Sequence, residues 1–274
     1  MKKRDEKQIN AETKEWLARY LQIEKLSGNH RIFTMPRGFP KKVTSYEDAE
    51  KAARELRKIW DLGSDPIENL TTLLEDKGIK IGLIEGITEF DALFTEYDGY
   101  PLVVMKEGLP RARQRFSLAH ELGHCLLDIE GDIREESAMH RFAGAFLVPA
   151  EKVVFELGEK RQKLSIKELQ ILKKKYGLSM GAWIFRAKDL GIISPEFFIL
   201  IQKFFSKRGW RKEEPDDGED PGEMPVQMSR LVFKAHAEGL ISTSKAAELL
   251  NQNISTFCSF EGESDFEQSA VLCG

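Results

Sequence analysis

An α+β fold is predicted, with a small antiparallel sheet packed on one helix and a helical carboxyl-terminal region behind it. Two patterns predict it. Strand-like alternation is confined to residues 79–105, and apolar residues elsewhere recur at steps of three and four. A third observation is the spacing of two histidines and a glutamate in residues 120–124, inside one of the helical stretches.

The elements follow in order. Trp16, Leu17, Tyr20, Leu21 and Ile23 lie near helical spacing, and a loop rich in Gly and Pro follows at 35–40. Ser45 with Asp48 three residues later resembles a capping box. Ala49, Ala52, Ala53, Leu56 and Trp60 behind it form one apolar face. Asp65-Pro66 is expected to cap and start a second helix carrying Ile67, Leu70, Leu73 and Leu74, closed by Gly78. Three strands are expected at 79–84, 90–97 and 100–105, the last two joined through the turn pair Asp98-Gly99. Helices are then expected from Pro110 to about Asp128 and from Glu135 to Phe146, the latter ending before Pro149.

These elements give five stretches: a connector with a helix (1–43), the α+β domain (44–150), a helical region packed on it (151–210), an exposed acidic linker (211–225, RKEEPDDGEDPGEMP), and a small helical unit with a loose acidic tail (226–274).

Composition limits the function. The 274 residues carry 41 Lys and Arg against 45 Asp and Glu, a net charge of −4, so no general attraction to nucleic acid or anionic membrane is expected. The longest stretch free of charge and histidine is 249–260, too short for the roughly 20 apolar residues of a membrane span. The charged amino terminus is followed by no apolar run, and Cys125, Cys258 and Cys273 are odd in number and sparse. The expectation is reduced thiols in a cytoplasmic protein.

The chemistry concentrates in His120-Glu121-Leu122-Gly123-His124. Helical residues four apart differ by about 40° and 6 Å, so both imidazoles can direct a nitrogen to one Zn²⁺. Glu121 lies on the neighbouring edge, placed to take a proton from a metal-bound water and return it to a leaving amine. With 5 histidines and 31 glutamates in 274 residues, about 0.01 such matches arise by chance. Gly123 costs helix stability, which implies close approach of another element.

A catalytic zinc needs a third protein ligand and an open site. Glu136 is the better candidate, brought back by an antiparallel helix pair around Gly131, with Glu130, Asp132 and Glu135 as rivals. Mn²⁺ or Fe²⁺ would suit the same donors.

The segment RFSLAHELGH (115–124) and the later ESAMHRFAGAFLVP (136–149) resemble the ImmA/IrrE family of zinc metallopeptidases, with the pattern ExxAxxFAxxxLxP in the second helix. Met139 stands where that pattern has a small residue. The resemblance implies a zincin-like minidomain, one zinc per chain held by His120, His124 and Glu136, and Glu121 as general base. It also implies limited proteolysis of a partner regulator, often a repressor encoded nearby. Many relatives begin with a repressor-like DNA-binding domain, which this sequence looks to lack.

Other residues carry two readings. Asp128, one turn past His124, would orient its imidazole or end a solvated helix. His140, one turn past Glu136, is a catalytic candidate as donor to the oxyanion. Arg113 and Arg115 cap or pair near the sheet, and Cys125 reads as a structural thiol. Residues 239–254 resemble half of a helix-turn-helix, but flanking acids favour packing or partner binding over DNA contact. Two functions follow: an endopeptidase with substrate extended along the strand at 100–105, or a non-catalytic regulatory or toxin–antitoxin-like binding module with a metal-stabilised fold.

Overall fold

The computed structural model describes residues 3–86, 90–215 and 221–262. It divides into two compact units, residues 33–224 and residues 1–32 with 225–274. The first 32 residues fall in the same compact unit as residues 225–274.

The larger unit opens with β1 (Lys41–Val43) and α2 (Tyr46–Ile59), following α1 (Lys3–Ser27) of the smaller one. The Ser45 capping box forms: Ser45 Oγ accepts from the Asp48 N–H, and Asp48 Oδ2 accepts from the Ser45 N–H. The expected apolar face, Ala49, Ala52, Ala53 and Leu56, is buried. Arg57 from the same helix is buried too, and donates to the carbonyls of Gly63, Asp65 and Phe146. Burial lowers its pKa to about 10.

The second helix starts later than expected. α3 spans Leu70–Asp76 and is capped by Asn69, whose Oδ1 accepts from the Thr72 N–H. Pro66 does not open it, because the carbonyl of Ile67 is taken by Arg115 rather than by a helical N–H.

β2 (Lys80–Ile84), β3 (Ala92–Tyr97) and β4 (Tyr100–Lys106) form one sheet in the order β2-β4-β3. The β3–β4 hairpin is antiparallel, as Asp98-Gly99 predicts, but β2 joins β4 in parallel, so the sheet is mixed. The physical reason is the continuous apolar run Leu102-Val103-Val104-Met105. All four residues are buried, which suits a central strand covered on both faces. β3 is left at the edge.

α4 (Arg111–Leu126) leads into β5 (Leu127–Ile129), which pairs in parallel with β1, and then into α5 (Glu135–Leu147). α5 packs against both α2 and α4. α6 (Ala150–Leu157), α7 (Ile166–Tyr176), α8 (Met180–Asp189) and α9 (Pro195–Lys207) complete the unit. One hydrophobic cluster runs from Phe39 and Val43 to Ile201 and Phe205, so the α+β part and the helical region share a single core.

Two acids of the 211–225 stretch, Glu214 and Glu223, are held to the fold. Glu214 accepts from the N–H groups of Met180 and Gly181 at the start of α8 and lies 3.3 Å from the Lys173 ammonium. Glu223 is buried against α3 and α4. Both acids neutralise buried partners, which composition could not reveal.

The smaller unit contains α1, α10 (Gln227–Ala237), α11 (Thr243–Leu249) and α12 (Ile254–Gly262) around Ile23, Leu231, Val232, Ala246, Leu249 and Phe257. Within 239–254, Ala246, Ala247 and Leu249 are buried and Lys245 is 2.6 Å from Glu248. That arrangement is packing. The tail beyond 262 lies outside the described residues. No helix among the described residues is long and apolar enough to cross a membrane.

Candidate metal centre

The α4 sequence is helical through the histidine motif and stops at Leu126, so His120 and His124 share one face. β5 and the turn at Gly131 (φ +84°) reverse the chain, and α5 returns alongside with Glu136 in its first turn. Close packing of the two helices is set at Gly123. A Cβ there would lie 2.8 Å from Met139 Sδ and 3.3 Å from Phe142 Cδ1. The approach expected from this glycine is thus made by α5. Met139, the departure from the family pattern, is the side chain that fills the space.

The three expected ligands meet. His120, His124 and Glu136 each offer a donor atom, and these atoms lie within 4.8 Å of one another. His120 Nε2 is 3.3 Å from Glu136 Oε2, and His124 Nε2 is 3.8 Å from Glu136 Oε1. Burial, then repulsion from His140 and His124, brings the His120 pKa down to about 4. The ring is therefore neutral near pH 7, as a ligand must be. Its Nδ1 is buried and hydrogen-bonds nothing. Two imidazoles and one carboxylate suit zinc and leave a coordination position for solvent or substrate. The donor set fits a divalent metal.

Glu121 sits beside them. Burial raises its pKa, and the Phe94 N–H, donating to Oε2 at 2.7 Å, offsets part of that rise. The carboxylate is oriented by the main chain of β3. The Asp91 carbonyl accepts from the Lys106 N–H of β4, so residues 91, 93, 95 and 97 turn toward β4 and 92, 94 and 96 turn outward. The open edge of β3 therefore runs along the site. A cleft of about 370 Å³ is lined by Leu93, Phe94, His120, Glu121, His124 and Glu136.

The rival ligands go elsewhere. Glu130 pairs with Lys42, and Glu135 Oε1 lies 3.3 Å from His124 Nδ1, on the side of the ring away from Nε2. Asp128 lies on β5, exposed, where its charge acts on Lys42. Its helix had ended two residues earlier, because Leu127 to Ile129 pair with β1. Asp132 is exposed. His140 lies next to His120, ring centroids 4.8 Å apart, and faces Phe116 at 5.7 Å. Withdrawal from water and His124 hold its pKa below the ordinary value, against the pull of Glu136. Cys125 is half-buried, and burial with Glu96 pushes its thiol up to about 12. Arg113 pairs with Asp91 at 2.7 Å, whereas Arg115 is fully buried.

Sequence reasoning missed the Phe94 amide, since backbone donors at a sheet edge have no residue signature. It also missed the place of Glu135 at His124 Nδ1.

A mixed sheet whose edge strand lies over a helix bearing His120, Glu121 and His124, with Glu136 returned by the next helix, defines a zincin-like metallopeptidase-type domain. Residues 75–188 match the Peptidase_M78 family model, IrrE N-terminal-like domain, and the fold and site described above are consistent with a domain of that type. No curated protein matches the chain.

Proposed function

We propose that the protein is a zinc-dependent endopeptidase that cuts a partner regulatory protein, such as a repressor, at a limited number of bonds. The observation that carries this reading is the convergence of His120, His124 and Glu136 with Glu121 held beside them by β3. His120, His124 and Glu136 would hold the metal, and a divalent cation there supplies Lewis acidity to a carbonyl and to water.

This chain's residues do the rest. The substrate adds as a strand to the open edge of β3, through the outward main-chain groups of Ala92 and Glu96 and the Phe94 carbonyl. It does not lie along β4, as the sequence suggested, because β4 is paired on both sides. Glu121, its carboxylate steadied by the Phe94 N–H, takes a proton from the attacking water and delivers it to the departing amine. His140, neutral near pH 7, donates a hydrogen bond to the substrate oxygen as it gains charge. A module that only binds partners has no need of a carboxylate oriented in this way.

The test pairs the zinc-loaded protein with the repressor encoded beside its gene. The wild type is expected to release two discrete fragments, and Glu121→Gln to release none while keeping its zinc. Intact repressor with both proteins would overturn the reading.

A further inference from the structure

The segment after the acidic stretch is built into the fold of α4. Pro221 bridges Pro110 in antiparallel fashion, just before α4 begins. Gly222 has no room for a side chain, since a Cβ would lie 2.7 Å from Gln114 Oε1 and 2.8 Å from the Leu109 carbonyl oxygen. The main chain of Glu223 then exchanges two hydrogen bonds with the Gln114 amide: its carbonyl accepts from Nε2 at 2.6 Å, and its N–H donates to Oε1.

The Glu223 carboxylate closes the arrangement. One oxygen accepts from the Arg115 guanidinium and lies 3.5 Å from Arg111 Nε, and the other accepts from the Thr71 N–H at 2.9 Å. The Arg115 side chain is 0% exposed and that of Glu223 is 5%. Arg115 also donates to the Ile67 carbonyl at 2.7 Å and leaves no space for a Cβ on Gly177. Three separate stretches of chain, at Ile67, Gly177 and Glu223, therefore meet on this one guanidinium, five residues or about 7.5 Å along the helix from His120.

We propose that Glu223 is a positioning residue for the metal centre. By neutralising and fixing Arg115 it sets the place of α4, and so the alignment of His120 and His124 with Glu136. The inference rests on the reading of those three residues as a metal site.

The experiment uses the full chain and measures Zn²⁺ affinity by competition with a chromogenic chelator. Melting curves verify that each variant is folded. Glu223→Gln is expected to weaken zinc binding about tenfold, the lower end of what loss of a supporting partner costs a metal site. Gly222→Ala, which displaces the segment without removing the charge, is expected to weaken it in the same direction. The paired replacement Arg115→Met with Glu223→Met removes both charges and is expected to restore most of the affinity. Glu214→Ala is the control: it strips a second buried acid of the same stretch, at α8, and is expected to lower the melting temperature with zinc affinity unchanged.

Equal zinc affinity in the wild type and in Glu223→Gln would overturn the proposal while leaving the metal site standing. Equal losses in Glu214→Ala and Glu223→Gln would also overturn it, since general destabilisation would then be the cause. A wild type that takes up no zinc would sink the metal site and the inference together.

Discussion

Two carboxylates of the larger unit, Glu136 and Glu50, sit in opposite circumstances. Glu136 is 70% exposed, with imidazole nitrogens 3.3 and 3.8 Å away. Glu50 is 18% exposed and accepts from both terminal nitrogens of Arg186, at 2.6 and 2.7 Å, and from Arg141 Nε. Arg141 is on the same helix as Glu136 and also meets Asp189 at 3.2 Å. The node at Glu50 is complete, with each carboxylate oxygen matched to a donor, and it ties α2, α5 and α8 together. The centre at Glu136 instead brings together two imidazoles and a carboxylate, a donor set that fits a divalent cation. The middle of α5 is thus pinned at Arg141 by a closed network, and its first turn presents Glu136 to the histidines.

The sharpest way to break that contrast is at Glu121. Replacement by Gln is expected to lower turnover by about 10²–10⁴-fold, the usual contribution of a positioned base, with zinc content unchanged by metal analysis. If the node is structural, Glu50→Ala should instead cost about 3–5 kcal/mol in denaturant unfolding, because it strands two guanidinium groups. Gly123→Ala tests the seam between α4 and α5. Overpacking against Met139 is expected to cost about 1–3 kcal/mol, and Met139→Ala in the same chain should recover most of it.

The smallest effect is in pH. Burial by itself would raise the Glu50 pKa, but Arg186 and Arg141 outweigh burial and hold it below the ordinary 4.5. Its stabilisation is therefore complete above pH 4.5 and fades as the pH falls through the folded-state value. Melting temperatures taken between pH 6 and 3 should fall less steeply in Glu50→Gln than in the wild type.

Much of this was legible in the sequence. The two histidines four apart, the glutamate between them and the glycine of the same helix are local features, fixed by helical geometry. The Ser45 capping box and the turn at Asp98-Gly99 are local in the same sense, and both formed. The fates of the acids near 130 were harder to read. Glu130, Glu135 and Glu136 differ little in type, and only the path of β5 against β1 sent the first to Lys42 and turned the last toward the histidines.

The sequence by itself determined most of the helices, the hairpin and the placing of His120, Glu121 and His124 on one helix, because each depends on residues within one or two turns of one another. The tertiary structure decided that β4 is central and β3 the edge, that residues 1–32 join the carboxyl-terminal unit, and that Glu223 is buried beneath α4. Those outcomes depend on which distant groups remove each other's charge and apolar surface from water, and residue types along a chain do not specify which partner will be found.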